Sequence, residues 1–410
     1  MKKTERRTAV LIMREDPRDE PNPSRMAELR GLATAAGHDV LAEITQCGGR
    51  DRRFQIGRGK IVQAMELGPE KLIFYNPLSP GQVYNISKEF GVPVIDRFNL
   101  ILEIFAARAS SREAKLQVEL AQLNYEAPFV RTMISLRKLA EKPGYRGAGR
   151  YEESMYQDVR GRIAKIKAAL ASVEKMGEER RRRRKEIGFD LVALAGYTNA
   201  GKSTLLNVLA DETIEAKDQL FTTLTPTTRA LDLLERRVLL TDTVGFIEDL
   251  PLFLIRAFRS TLAEITSADL VLLVADLSDP PELLRKKLVA CHSALWDCGS
   301  SAPIVTVLNK VDLVSGDEAE SRLLFVEDLA PSPVIVSAKA GVGLDCLKER
   351  IAERLPPLEE VQVSLPYTED GMAELSRLYD VAEDVQVSFG EEMVVSLRCR
   401  RGTVGRILRA

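Results

Sequence analysis

Residues 196–203, Gly196-Tyr197-Thr198-Asn199-Ala200-Gly201-Lys202-Ser203, fit the pattern G-x-x-x-x-G-K-[ST], and Thr204 follows directly. An apolar run, Leu191–Ala195, precedes the pattern and a helical one follows it, the context in which such a loop cradles phosphate. Its glycines let backbone N–H groups wrap the phosphates, and the helix N-terminus behind them adds a favourable dipole. Lys202 is placed to reach β- and γ-phosphates, and Ser203 to ligate Mg²⁺.

Three further stretches share this placement. Asp242-Thr243-Val244-Gly245 closes the apolar run Val238–Thr241. A carboxylate there can hold the magnesium shell, and Gly245 can offer its N–H where a γ-phosphate sits. Asn309-Lys310-Val311-Asp312 closes Ile304–Leu308. The Asp312 carboxylate can accept from both the ring N–H and the exocyclic amine of guanine. Adenine lacks both donors and leaves the carboxylate unpaired, a penalty of about 1–3 kcal/mol or more that selects the base. Ser337-Ala338-Lys339 ends the next strand and can offer its backbone to the guanine O6. Four motifs in this order, each at a strand's C-terminal end, lie where a doubly wound sheet binds ligands. They point to GTP, with Lys202 and Gly245 at the reacting phosphates and Ser203 and Asp242 around the metal.

The elements that must position these motifs are legible in the same region. Strand patterns at Leu191–Ala195, Val238–Thr241, Leu270–Ala275, Ile304–Leu308 and Val334–Val336 alternate with helical stretches, the signature of a doubly wound, mainly parallel sheet over residues 188–356. Residues 1–110 alternate likewise, with strands expected at Thr8–Met13, Val40–Thr45, Leu72–Tyr75 and Val92–Ile95, a small α/β domain. Between them, Leu116, Leu120, Leu123, Ala127, Val130 and Ile134 form one helical stripe. Met155, Val159, Ile163, Ile166, Leu170 and Val173 form another, so residues 111–187 read as an antiparallel helical hairpin. Pro356-Pro357 precedes a small α+β segment, 357–410, with a helix near Met372–Tyr379 and strands near Val385–Ser388 and Met393–Leu397.

Composition narrows the class further. The chain has 410 residues, 58 Lys and Arg against 60 Asp and Glu, and is 45% hydrophobic, the balance of a globular protein. Residues 131–186 hold 17 cations and 8 acids, a local +9 that leaves about −11 for the rest. Such asymmetry is more informative than the sum, and fits either a solvated charged helix face or a surface for a polyanion. The two histidines, His38 and His292, argue against a His-rich metal site and a Ser-His-Asp triad. The cysteines, Cys47, Cys291, Cys298, Cys346 and Cys399, form no C-x-x-C pair, so a reduced, cytosolic setting with the thiols as small core hydrophobes is expected. No apolar run is long enough to span a bilayer or form a signal peptide.

The ordered motifs resemble the translation-factor-like branch of P-loop GTPases. That resemblance implies that Phe221-Thr222-Thr223-Leu224 is the first switch, with Thr223, or its neighbour Thr222, as a Mg²⁺ ligand in the GTP state. Phe246 stands where Ras-like enzymes place the glutamine that orients the attacking water, so slow intrinsic hydrolysis is expected until a partner supplies what it lacks.

Longer stretches resemble the HflX family: Leu78-Ser-Pro-Gly-Gln82, Val94-Ile-Asp-Arg97, Glu113-Ala-Lys-Leu-Gln-Val-Glu-Leu-Ala-Gln-Leu123, Phe221–Arg229 and Thr243–Ile247. The resemblance implies an N-terminal α/β domain, a helical linker and a GTPase domain whose GTP form binds the large ribosomal subunit to split, rescue or regulate ribosomes. It also implies a cytoplasmic protein, read here as monomeric. Bacterial members carry R-G-P-G-E at the hairpin tip, whereas this chain has Arg146-Gly-Ala-Gly-Arg150, the archaeal-like variety. Arg146 and Arg150 would then meet ribosomal RNA phosphates or bases. The Arg180–Lys185 run either touches RNA or serves as a hinge.

Two other readings stand beside this one. A GTP-regulated RNA- or protein-binding module would bind nucleotide tightly without stimulated turnover. An RNA-remodelling NTPase would use a second nucleotide site at Gly57-Arg-Gly59-Lys60, although that short pattern fits a helix-start turn better.

Overall fold

The computed structural model describes residues 7–18, 23–140, 148–187, 189–210, 227–233, 236–243, 245–246, 264–390, 392–400 and 404–405. The chain forms two compact units, residues 1–171 and 172–410.

In the first unit, β1 (Arg7–Glu15), β2 (His38–Cys47), β3 (Lys71–Phe74) and β4 (Val94–Asp96) form an all-parallel sheet in the order β2-β1-β3-β4. Ala9–Met13 and all of β3 are buried, as expected for strands covered on both faces. The helices are α1 (Pro23–Ala35), α2 (Arg58–Met65), α3 (Pro80–Phe90) and α4 (Arg97–Arg108). Helix α3 starts with a capping box between Ser79 and Gln82 and ends at Gly91, whose φ of 72° suits a residue without Cβ. Asp96 caps α4 by accepting from the Phe98 and Asn99 amides and also accepts from Leu78 N and Tyr125 Oη. Burial pushes the Asp96 carboxyl above its ordinary range, against these four donors.

Helices α5 (Arg112–Ala140) and α6 (Ala148–Ile187) follow. At 40 residues α6 is about 60 Å long. On α6 the expected stripe is the less exposed face, with Ile166 buried and Val159, Ile163, Leu170 and Val173 half-buried. On α5 the buried edge falls beside the expected stripe, at Ala114, Gln117, Val118 and Ala121, and among the described stripe members Leu123 is buried while Leu116, Leu120, Ala127 and Val130 are half-buried. Arg162 donates to Glu119 at 2.6 Å and ties the two helices. The tip arginine Arg146 lies outside the described residues, as does the Arg150 side chain.

The second unit contains β5 (Asp190–Gly196), α7 (Lys202–Leu209), β6 (Thr227–Leu233), β7 (Arg236–Asp242), β8 (Leu270–Asp276), α8 (Pro281–Asp297), β9 (Ile304–Asn309), α9 (Gly316–Phe325), β10 (Val334–Ile335) and α10 (Leu344–Arg354). Its sheet runs β10-β9-β8-β5-β7-β6 and is parallel except for β6, which pairs antiparallel with β7. This is the expected doubly wound α/β sheet, with one edge strand the apolar-run pattern did not reveal.

A three-stranded antiparallel sheet, β11 (Leu358–Leu365), β13 (Met393–Arg400) and β12 (Glu383–Phe389), closes the chain. Leu375 and Leu378 of α11 (Glu369–Val381) share its core with Met393, Val395, Leu397 and Cys399. Arg400 of β13 reaches Asp190 at 3.3 Å and pairs with Asp269, while Arg236 bonds Asp190 and the Pro356 carbonyl.

The cysteines correct one expectation. Cys291 and Cys399 are buried, but Cys47 and Cys346 are exposed, so thiols as core hydrophobes describes only part of the set; all five are free. Among the described residues no helix is long and apolar enough to cross a membrane.

Candidate functional site

The site lies at the C-terminal ends of β5, β7, β9 and β10. Strand β5 ends at Gly196, whose φ is 144° and whose added Cβ would meet the Val274 carbonyl of β8 at 2.1 Å. Only glycine fits that approach. At Gly201 (φ 94°) a Cβ would meet Asn309 Nδ2 at 2.2 Å. Asn199 also takes a left-handed φ, 63°, so the loop 197–201 curls tightly before α7 starts at Lys202.

The four motifs, distant in sequence, converge on this loop. Lys202 is buried; its Nζ donates to the carbonyls of Gly196 at 3.1 Å and Tyr197 at 2.8 Å. Burial pulls its pKa below the ordinary lysine range, while the Asp242 charge opposes the shift. Ser203 Oγ donates to Asp242 Oδ2 at 2.6 Å. Gly245 lies against the loop, where a Cβ would meet Thr198 Cγ2 at 2.8 Å and Lys202 Nζ at 2.9 Å. Asn309 Nδ2 donates to the Ala200 carbonyl at 2.9 Å and its Oδ1 accepts from Ala338 N at 3.0 Å. One side chain therefore fastens the phosphate loop to the Ser337–Lys339 segment. Asp312, on an exposed turn, accepts from Ser337 Oγ at 2.5 Å.

Two residues take roles their motifs do not spell out. Thr243 Oγ1 donates to the Leu194 carbonyl at 2.6 Å, so it braces β5. Phe246 is 4% exposed, its N–H donates to Gly196 O at 2.9 Å and its carbonyl accepts from Thr198 N at 2.8 Å. The residue after the D-x-x-G glycine is thus stitched to the phosphate loop with its ring in the core. Thr204 lies half-buried on α7 and Lys339 is exposed. Phe221, Thr222, Thr223 and Val244 lie outside the described residues.

The structure adds residues that the motifs did not name. Lys287 of α8 stands with its ammonium 5.1 Å from the Tyr197 ring centroid and pairs with Asp279 at 2.7 Å. Lys310, at φ 70°, pairs with Asp276 at 2.7 Å. Burial pushes the Cys291 thiol up to about 12, against the nearby Lys202 and Lys287 charges. Asp276 and Asp279 at a strand's C-terminal end were a readable signal; Lys287 was not, because only the packing of α8 brings it beside Tyr197.

In the first unit, Gly57 has an ordinary φ of −60°, caps α2 and donates its N–H to Gln46 Oε1 at 2.9 Å. The Gly57–Lys60 stretch is therefore a helix-start turn whose leading amide is already occupied.

Comparison with known proteins agrees with this geometry. Residues 191–310 match the family described as 50S ribosome-binding GTPase, and residues 23–106 and 108–184 match the N-terminal and middle regions of GTP-binding GTPases. The GTPase HflX of Thermococcus kodakarensis is 42% identical over 93% of this chain and 90% of its own length. The chain belongs to the HflX family of GTPases. The HflX proteins of Methanocaldococcus jannaschii (40% identical, 98% of each chain) and Escherichia coli (36%, 92% of this chain and 89% of that one) match across similar spans. Among solved structures, SsGBP in complex with GDP superposes with a TM-score of 0.53 at 29% identity, covering 85% of this chain and 98% of that one. A P-loop GTPase fold and GTP hydrolysis are thus common ground between this HflX-family chain and its relatives.

Proposed function

We propose that the chain is a GTP-driven switch that associates with the large ribosomal subunit in its GTP form and splits, rescues or regulates ribosomes in the cytoplasm. The observation that carries the GTP half is the convergence of Lys202, Ser203, Asp242 and Asn309 on one loop, with Asp312 held by Ser337 at the neighbouring strand ends, where nucleotide phosphates and base are read. The ribosomal half is supported by the matched family's description and by the +9 charge of residues 131–186.

In this reading backbone N–H groups of the phosphate loop hold the phosphates, Lys202 neutralises charge developing on the β–γ bridge, and Gly245 N–H meets the γ-phosphate. Asp312 and the Ser337–Lys339 backbone select guanine. Ser203 Oγ and Asp242, hard oxygen donors already in contact, fit Mg²⁺. Together with Thr223 they would hold it, and the ion would neutralise phosphate charge. With Phe246 turned into the core, this chain places no side chain at position 246 to orient water, so hydrolysis is slow alone and speeds up on docking. The division of labour follows residues 1–110, 111–187, 188–356 and 357–410, with a monomer carrying Arg146 and Arg150 into ribosomal RNA.

The test is GTP turnover by the purified protein with and without large ribosomal subunits from the same source. Strong acceleration is expected. Unchanged turnover with normal GTP binding would refute the ribosomal half and leave the GTPase.

A further inference from the structure

Helix α8 has a buried side and a side that faces α9. Leu284, Leu288, Cys291 and Leu295 are in the core. Arg285, Val289, His292 and Trp296 step by 4, 3 and 4 along another side, one stripe of the helix. Arg285 makes a two-pronged ion pair with Asp328, at 2.6 and 2.7 Å, and stands 5.9 Å from the Phe325 ring centroid. His292 Nε2 donates to the Leu329 carbonyl at 2.8 Å. These contacts fix the α8 stripe beside the end of α9.

Arg285 and His292 of that stripe are engaged with residues 325–329, and its two apolar members, Val289 and Trp296, are exposed. Trp296, the chain's single tryptophan, is 83% exposed, and Val289 is 50% exposed; Leu324 (65%) and Phe325 (39%) flank them from α9. Tryptophan and phenylalanine on a surface row are the residue types that anchor partners. Val289 and Trp296 are seven residues and about 10 Å apart, two turns of a helix, which suits anchors at i and i+7 on a docked helix. The α9 side is acidic: residues 316–329 carry Asp317, Glu318, Glu320, Glu327 and Asp328 against Arg322, and with Asp328 paired with Arg285 and Glu318 with Arg322, the carboxylates offered to a partner are Asp317, Glu320 and Glu327.

We propose that the α8–α9 face docks an amphipathic helix with a basic rim, supplied by a partner protein. The apolar row takes the helix's hydrophobic stripe, and the carboxylates of Asp317, Glu320 and Glu327 select lysines or arginines beside it. Negative charge on the α9 side disfavours nucleic acid. The proposal does not rest on the ribosomal reading.

Trp296 reports on the test directly, because no other tryptophan contributes to the emission of the full-length protein. The probes are two synthetic helical peptides with the same leucine stripe, one flanked by lysines and one by glutamates. The lysine peptide should shift Trp296 emission to the blue saturably, and the glutamate peptide should bind at least about tenfold more weakly. Val289→Glu and, independently, Leu324→Glu should each weaken the lysine peptide by about tenfold or more, read by anisotropy of labelled peptide. Normal GTP binding by these variants checks that they are folded. Tighter binding by the variants would mean charge alone attracts the peptide and would overturn the proposal, as would equal affinity for both peptides. A blue shift that grows with protein concentration and no peptide would assign the face to a second copy. Competition by single-stranded RNA would assign it to nucleic acid, and either result replaces the proposal.

Discussion

Ser203 Oγ and Asp242 Oδ2 are 2.6 Å apart, which joins the first turn of α7 to the end of β7. Strand β7 pairs with β5, so both groups sit on the scaffold that carries the phosphate loop. Asp242→Asn keeps the shape and a weaker hydrogen bond but loses the charge that favours a divalent ion. The dependence of GTP binding on Mg²⁺, followed by titration of the ion, should shift to at least about tenfold higher concentration.

Lys202 is buried against its own loop and has no apolar substitute for its charge. Lys202→Ala should weaken GTP binding by about a hundredfold, the scale of losing charge-assisted bonds to phosphate. It should also abolish GTP-dependent association with large ribosomal subunits. Undiminished association in sedimentation assays would contradict the switch.

Asp312 is held by Ser337 Oγ on an exposed turn, so it can be changed without disturbing the core. Asp312→Asn replaces an acceptor pair by an acceptor and a donor. GTP affinity should fall by about a hundredfold, while xanthosine triphosphate, with a carbonyl in place of the guanine amine, should gain relative to it. Competition binding with both nucleotides reads the exchange.

Phe246 is in the core, and its backbone is bonded to Gly196 and Thr198. Phe246→Gln therefore buries an amide and does not deliver it to water. Thermal unfolding should show a loss of about 2–4 kcal/mol, and single-turnover hydrolysis should not rise. A clear acceleration would show that the side chain can swing toward the nucleotide.

Glu103 offers a pH test in the first unit. Burial pushes its carboxyl up, but hydrogen bonds from His38 and Lys71 outweigh that and hold it below the usual glutamate range. A carboxylate with a lowered folded pKa stabilises the protein above its ordinary value of about 4.5, and this is lost as pH falls through the lower folded value. Denaturant unfolding of the first unit should lose stability below about pH 4.5, and Glu103→Gln should flatten that fall.

The chemistry of this protein was legible wherever it is written in contiguous residues. Gly196–Ser203, Asp242–Gly245, Asn309–Asp312 and Ser337–Lys339 each need a particular residue type within a few positions of a strand end, so local spacing determined them, their order and the parallel sheet beneath. The apolar runs are buried on both faces, which made their strands easy to read. The sequence by itself did not determine which helix packs against which loop. Lys287 over Tyr197, Asp276 beside Lys310, Asn309 fastening Ala200 to Ala338, and the inward turn of Phe246 all join residues that are far apart in the chain. The same holds for β6, whose pairing with β7 depends on the edge it meets, and for the α8–α9 face, where Arg285 meets Phe325 and Asp328 only once the helices have packed. A side chain's environment is set by its neighbours in space, and that was decided only when the tertiary structure brought them together.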